Sequence, residues 1–181
     1  QCAISEMGGV ECLVQAAEKH AADPNVQAHV AAAIWNLSRT PSVALTIASS
    51  SAIPLVVAAA AAFPANAEVQ MNVAGALRHL AVTDDYADQI VQAGGLPTLF
   101  AMASSHAADA EVQGAVVGAL WELSRHGFDG LIYDAGGVEI VLQIGEKHLK
   151  SDRICARVAG VLRLLSIDSE RKVAIGEQRG V

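Results

Sequence analysis

Two tryptophans and two arginines share one recurring position in this chain. Trp35, Arg78, Trp121 and Arg163 follow one another at steps of 43, 43 and 42 residues. Trp and Arg dominate binding hot spots, because a large ring or a five-donor guanidinium fork concentrates contact area and hydrogen bonding in one side chain. Three residues before each stands a small residue, at Ala32, Gly75, Gly118 and Gly160, so each large side chain neighbours a vacated spot on the same helix face. The chemistry on offer is recognition: Trp35 and Trp121 as anchors, with Arg78 and Arg163 reading acidic or carbonyl groups between them. The competing reading packs both rings between adjacent helices and leaves the arginines as solvated edge charges. The glycines pose a related choice. Each costs about 0.5–1 kcal/mol relative to Ala inside a helix, so something approaches closely there, either a neighbouring helix, which is the simpler account, or a partner's backbone.

Other residues capable of chemistry are placed less suggestively. His20, His106 and His148 share one repeat position, with Phe63 between them. One His per repeat cannot converge on one ion, and the partial negative charge of a helix C-terminus accounts for them. His29, His79 and His126 have no carboxylate or Cys at useful spacing along the sequence, so no metal or acid–base role is expected of them. Asp84, Asp85 and Asp88 cluster at an expected helix start, where capping and the helix dipole explain acidic residues. Ser49-Ser50-Ser51 occupies a turn, where drift in sequence is a simpler account than phosphorylation. Lys147, Lys150, Arg153 and Arg157 form the one basic run, with Arg157 a turn before the expected binding face and the others solvated. No G-x-S-x-G, P-loop or dinucleotide-binding pattern is present, and no catalytic residue, cofactor or metal is expected.

These residues are positioned by a repeat. Ile4, Ile47, Ile90, Ile132 and Ile175 keep the period of 42 or 43, as do Val26-Gln27, Val69-Gln70, Val112-Gln113 and Ile154-Cys155. Such self-similarity marks a stacked solenoid in which each unit buries its apolar face only against its neighbours. Each unit reads as three helices. The first is short, at Ser42–Ser50, Asp85–Ala93, Asp129–Ala135 and Ser169–Gln178, with Gln1–Met7 as a remnant. A Gly-Gly turn usually ends it. The second follows at Val10–Ala21, Ile53–Phe63, Leu96–His106 and Val138–Leu149, and the third and longest at Asn25–Arg39, Ala67–Val82, Ala110–Arg125 and Asp152–Ser166. Asp23, Asn66, Asp109 and Ser151 are the expected N-caps of the third helices. The repeats run approximately 1–40, 41–83, 84–126 and 127–168, with another starting at 169–181, so the chain reads as a fragment of a solenoid spanning 1–181.

Composition agrees. Apolar residues are 52% of the chain and aromatics only 4%, a core of Ala, Val, Leu and Ile suited to close helix packing rather than to a β-sandwich. The net charge of −7 is unevenly spread: residues 1–124 carry three basic residues against eleven acids, and 125–181 carry nine against eight. That balance disfavours nucleic acid, which needs clustered Lys and Arg. The longest apolar run, from Ala52 to Ala65, is too short to cross a bilayer and contains two prolines. Cys2, Cys12 and Cys155 are odd in number with no metal-ligand spacing, so they are expected as small buried hydrophobes in a reducing, intracellular compartment.

Gly94-Gly95-Leu96-Pro97, then Val112-Gln113, then Ala119-Leu120-Trp121-Glu122-Leu123-Ser124 resemble the armadillo repeat, and Ala33-Ile34-Trp35-Asn36-Leu37-Ser38 comes closer still to that family's third-helix motif. The resemblance covers essentially the whole chain. It implies an all-α, right-handed superhelical solenoid of about four three-helix repeats, whose third helices line a concave groove that takes a partner peptide or helix. In the importin-alpha type, each third helix carries a Trp and, four residues later, an Asn. Here the Trp slot holds Ala32, Gly75, Gly118 and Gly160, and the Asn slot holds Asn36, His79, Glu122 and Leu164. Only Asn36 remains, which disfavours a nuclear import adaptor. A membrane-tethered organelle adaptor of the vacuolar armadillo type, or a non-catalytic module of a ubiquitin ligase, would need features outside this sequence. The expected function is a non-enzymatic scaffold or adaptor in the cytoplasm, with a nuclear or organelle-associated location as the alternative. Its expected groove row is His29, Asn36, Asn72, His79, Glu122 and Arg157, flanked by Trp35, Arg78, Trp121 and Arg163. The partner is a protein or peptide, with no nucleic acid, membrane insertion or small-molecule substrate.

Overall fold

The structure, a computed structural model, describes residues 7–167. Its helices are α1 (Gly9–Lys19), α2 (Pro24–Leu37), α3 (Pro41–Ala48), α4 (Ala52–Ala62), α5 (Ala67–Leu80), α6 (Asp84–Gln92), α7 (Gly95–Ser105), α8 (Ala110–Leu123), α9 (Asp129–Asp134), α10 (Gly137–Lys147) and α11 (Asp152–Leu165). From α3 onward they come as short, medium and long, three times over. No strand occurs among the described residues. The expected helix Ser169–Gln178 and the remnant before Met7 lie outside them.

Local chemistry sets these boundaries. Each long helix opens on a side-chain cap that satisfies first-turn N–H groups. Asp23 Oδ1 accepts from Asn25 N and Val26 N at 2.9 and 3.3 Å. Asn66 Oδ1 takes two N–H groups at 3.1 Å, Asp109 Oδ1 does the same at 2.9 and 3.1 Å, and Ser151 accepts one, from Ile154 N at 3.4 Å. The cap of α6 is Thr83, which accepts from Tyr86 N, so Asp84 and Asp85 are first-turn residues rather than caps.

The Gly-Gly turn uses its two glycines for different reasons. Gly94 takes φ +82°, which L side chains rarely adopt. Gly95 needs room instead, because a Cβ there would lie 2.5 Å from Ile90 Cγ2 and 2.7 Å from the Ile90 carbonyl oxygen. Between α3 and α4 the turn is rebuilt without glycine. Ser51 keeps φ −79°, and the Ser50 hydroxyl donates to the Ile47 carbonyl at 2.6 Å while accepting from Ala52 N at 3.2 Å. Between α8 and α9 the chain winds through a π-type turn at Ser124–Phe128, broken at His126 and Gly127.

One core runs the length of the stack. Ile34, Leu77 and Leu120 recur on successive long helices, and Ile47, Ile90 and Ile132 on successive short ones, none more than 1% exposed. The long helices pack in sequence, α2 on α5, α5 on α8 and α8 on α11. A second periodic device ties each long helix to the medium helix before it. Gln27 Nε2 donates to the carbonyls of Ala17 and His20 at 2.9 and 3.0 Å. Gln70 does the same to Ala60 and Phe63, and Gln113 to Ala103 and His106. Carbonyls at a helix C-terminus lack intrahelical donors, so one buried amide closes two of them. In the last module Cys155 replaces Gln, and its thiol reaches His148 O only at 3.7 Å.

Candidate binding face on the third helices

The large side chains and the glycines of the long helices fit one another across adjacent modules. A Cβ on Gly75 would lie 2.6 Å from Trp35 Cδ2. On Gly118 it would lie 2.7 Å from Arg78 Cδ, and on Gly160 3.0 Å from Trp121 Nε1. Each large residue therefore rests in the dent left by a glycine on the next long helix. The rings of Trp35 and Trp121 are half-buried between helices, and each keeps a partly open surface. Trp35 faces the His79 ring with centroids 6.4 Å apart. The Arg125 guanidinium lies 5.6 Å from the Trp121 ring centroid, and Trp121 Nε1 is buried with no hydrogen-bond partner.

Beside Trp35 lies a basic concavity. Gly114 and Gly118, one turn apart on α8, form its floor. A Cβ on Gly114 would stand 3.1 Å from Arg153 Nη2, and one on Gly118 3.2 Å from Arg157 Nη1. Arg78 approaches from α5; Arg153 and Arg157, also one turn apart, approach from α11. Trp35, Met71, Gly75, Glu111 and Ala115 complete the lining of a space of about 40 Å³. Arg157 Nη1 donates to the Gly114 carbonyl. Arg153 pairs with Glu111 at 3.0 Å, and Glu122 is held by Arg125 at 2.9 Å. Among the described residues no carboxylate lies within ion-pair distance of Arg78 or Arg157.

The electrostatic cost of this crowding is visible. Burial, then the charges of Arg78 and Arg153, lower the Arg157 guanidinium to about 10. His79 is held below its usual range by burial first, then by Arg78, Arg39 and Arg157. Both groups sit where a positive charge is already unwelcome.

The remaining expected groove residues fall variously. His29, Asn36 and Arg163 are exposed, and His79 and Glu122 are half-buried. Asn72 is only 5% exposed, and its Nδ2 donates to the Ala28 carbonyl at 3.1 Å. It joins α2 to α5 instead of standing on an open face. Arg153, expected to be solvated outside the groove, belongs to the basic concavity together with Glu111. The signal was the pair Gly114 and Gly118 at i, i+4, which clears one strip of α8.

Two expectations about histidine are corrected by stacking. His126, for which the sequence shows no partner, places Nδ1 2.7 Å from Asp84 Oδ1. Residues 42 apart hold the same place in successive modules and so become neighbours. By the same logic His106 Nε2 reaches the Pro64 carbonyl at 2.7 Å and His148 Nε2 reaches that of Ala107 at 2.9 Å. A carbonyl only accepts, so both rings donate from Nε2. These rings tie module to module, which the helix-dipole account does not foresee. No group of three His, Cys, Asp or Glu residues able to hold a metal gathers among the described residues.

Comparison with known proteins agrees with this architecture. The family model of the armadillo/beta-catenin-like repeat matches residues 83–125. The crystal structure of an engineered protein from the Northeast Structural Genomics Consortium is similar with a TM-score of 0.81 and 28% identity, covering 96% of this chain and 41% of that one. A second engineered protein from the same consortium gives 0.78 and 24%, covering 93% and 68%. No curated protein matches the chain. Residues 83–125 thus match an armadillo repeat, within a repeat solenoid that is helical throughout the described residues.

Proposed function

We propose that this armadillo-repeat solenoid is a non-enzymatic scaffold that takes an extended partner segment along the face of its long helices, α2, α5, α8 and α11. Armadillo-repeat proteins generally bind protein partners. The observation that carries the reading for this chain is the basic concavity beside the half-open Trp35. Aromatic and guanidinium groups gathered at the centre of a face are the composition of a binding hot spot. A nuclear import adaptor would hold a basic peptide, and three guanidinium groups repel one. We place the protein inside the cell, since Cys12 is an exposed free thiol and Cys155 is unpaired, a state that reducing compartments preserve. Fractionation of cells expressing the protein checks this placement, and recovery in the secreted fraction would refute it.

The test of the binding face is a blocking substitution. Ala115 lines the concavity, is partly open and packs against the edge of the core, so the indole of Ala115→Trp, too large to enter the space, lies across its mouth, and a thermal melt checks that the fold is kept. Short peptides selected on the native protein should lose at least tenfold in affinity for Ala115→Trp. A matched control, Ser104→Trp, lies in the crevice between the medium helices α7 and α10, and should bind them as before. Equal binding to native protein and Ala115→Trp would sink the reading.

A further inference from the structure

Resting on that reading of the face, we propose that Arg78, Arg153 and Arg157 form a single subsite for the carboxylate of an acidic residue in the partner segment. Three chain segments are needed to build it. Arg78 comes from α5, the glycine floor from α8, and Arg153 with Arg157 from α11. Each glycine gives a guanidinium room to lie flat, and an alanine at Gly118 would meet both Arg78 and Arg157. Three guanidinium groups thus share one concavity with a single carboxylate, Glu111, which Arg153 already engages. Arg78 and Arg157 bring charge without an ionic partner among the described residues. The one protein acceptor that Arg157 meets there is the Gly114 carbonyl. A guanidinium has five N–H donors, so most of this fork is unused.

The occupant follows from charge, size and neighbours. An anion between Arg78 and Arg157 relieves their mutual repulsion and takes charge-assisted, bidentate hydrogen bonds. The depressed proton affinity of Arg157 agrees with a site in which negative charge is missing. A space of about 40 Å³ accepts a group of a few heavy atoms and no ring or nucleotide. Nucleic acid is further opposed by the net charge of −7, because phosphate-backbone binding needs basic residues spread along a track. Trp35 and Met71 wall one side, so an apolar side chain belongs beside the acid. Adjacent long helices pack roughly 8–10 Å apart and an extended chain advances about 3.3 Å per residue. The apolar residue over Trp35 therefore stands about three positions from the acidic one.

The experiment pairs protein and peptide substitutions. Twelve-residue peptides are selected from a random library on the native chain, synthesised with a fluorophore, and measured by polarisation. Each is remade with every Asp as Asn and every Glu as Gln, and separately with phosphoserine at the acidic position. The expected peptides carry Asp or Glu, and lose roughly tenfold on the acid-to-amide change, the scale of a charge-assisted contact. Arg157→Gln and Arg78→Gln should each weaken the acidic peptide roughly tenfold and the amide peptide less than about twofold. Arg157→Lys should recover part of the loss. Because Arg157 also holds the Gly114 carbonyl, thermal melts accompany each variant, and Arg78→Gln supplies the test if Arg157→Gln unfolds. Selected peptides that Ala115→Trp blocks, yet that lack acids or ignore both glutamine variants, would overturn the subsite and leave the binding face standing. Peptides that bind more than tenfold tighter with phosphoserine than with Asp or Glu at the acidic position would overturn it in favour of a phosphate reader. Peptides unaffected by Ala115→Trp would overturn the face and the subsite together.

Discussion

At the scale of single residues, the alternation of Trp and Arg and the column of glycines are one device. Trp35 fills the dent at Gly75, Arg78 that at Gly118, and Trp121 that at Gly160. The three glycines would respond differently to a methyl group. Gly75→Ala drives a Cβ to 2.6 Å from a rigid indole. The overpacking cost of about 1–3 kcal/mol exceeds the helix-propensity gain of about 0.5–1 kcal/mol, so a net loss of about 1–2 kcal/mol in urea denaturation is expected. In a Trp35→Ala background that loss should vanish, because the clashing ring is gone. Gly118→Ala meets the flexible stem of Arg78, which can swing aside. Its stability should stay near that of the native protein while acidic-peptide affinity falls. His79 adds a pH dependence with a defined sign. Its folded-state proton affinity lies below the unfolded value, so the unfolded chain binds the proton first and stability drains away as pH falls below about 6.5. The drop in melting temperature between pH 7.5 and 5.5 should be smaller in His79→Gln than in the native protein. An equal drop would show that His79 is not under this strain.

At the scale of elements, what the sequence announces and what it hides divide by the reach of each interaction. The caps Asp23, Asn66, Asp109 and Ser151 are legible because a cap bonds its own first turn, within three residues. Helix ends fall within about two residues of where the sequence pattern sets them, for the same reason. The Gln27, Gln70 and Gln113 ties are just as periodic, yet their meaning lies in carbonyls 10 and 7 residues back on another helix. The rings of His106 and His148 and the His126–Asp84 pair reach 41 or 42 residues. Only knowledge that equal repeat positions stack would reveal them. Asn72 lies two turns before His79 on nearly the same face of α5, but its amide is taken up at the seam with α2, where it donates to the Ala28 carbonyl. Gln70→Leu leaves two helix-end carbonyls without their donor and should cost about 1–3 kcal/mol. Conversely, Cys155→Gln places an amide where the other modules have one, within reach of Gly145 and His148. It should stabilise the protein by up to about 1 kcal/mol, read as a raised urea midpoint. A lowered midpoint would mean that the fourth module has diverged too far to accept the tie.

At the scale of the whole molecule, each module touches only its neighbours, so damage should stay local. Gln70→Leu is expected to speed amide hydrogen exchange in α4 and α5 and at their immediate neighbours, and to leave α11 unchanged. The same open stacking explains how an acidic chain presents a basic site: no single module holds it, and the arginines meet only because α5, α8 and α11 are packed in order. The chain has two tryptophans, both on the proposed face, which gives a direct readout. In a nitrogen-15 NMR titration with a selected acidic peptide, the indole signal of Trp35 and the amides of Gly114 and Gly118 should shift most. Ser104 and Gln143, in the crevice between medium helices, should stay still. Shifts concentrated at Ser104 and Gln143, with Trp35 and the two glycines unmoved, would contradict the account.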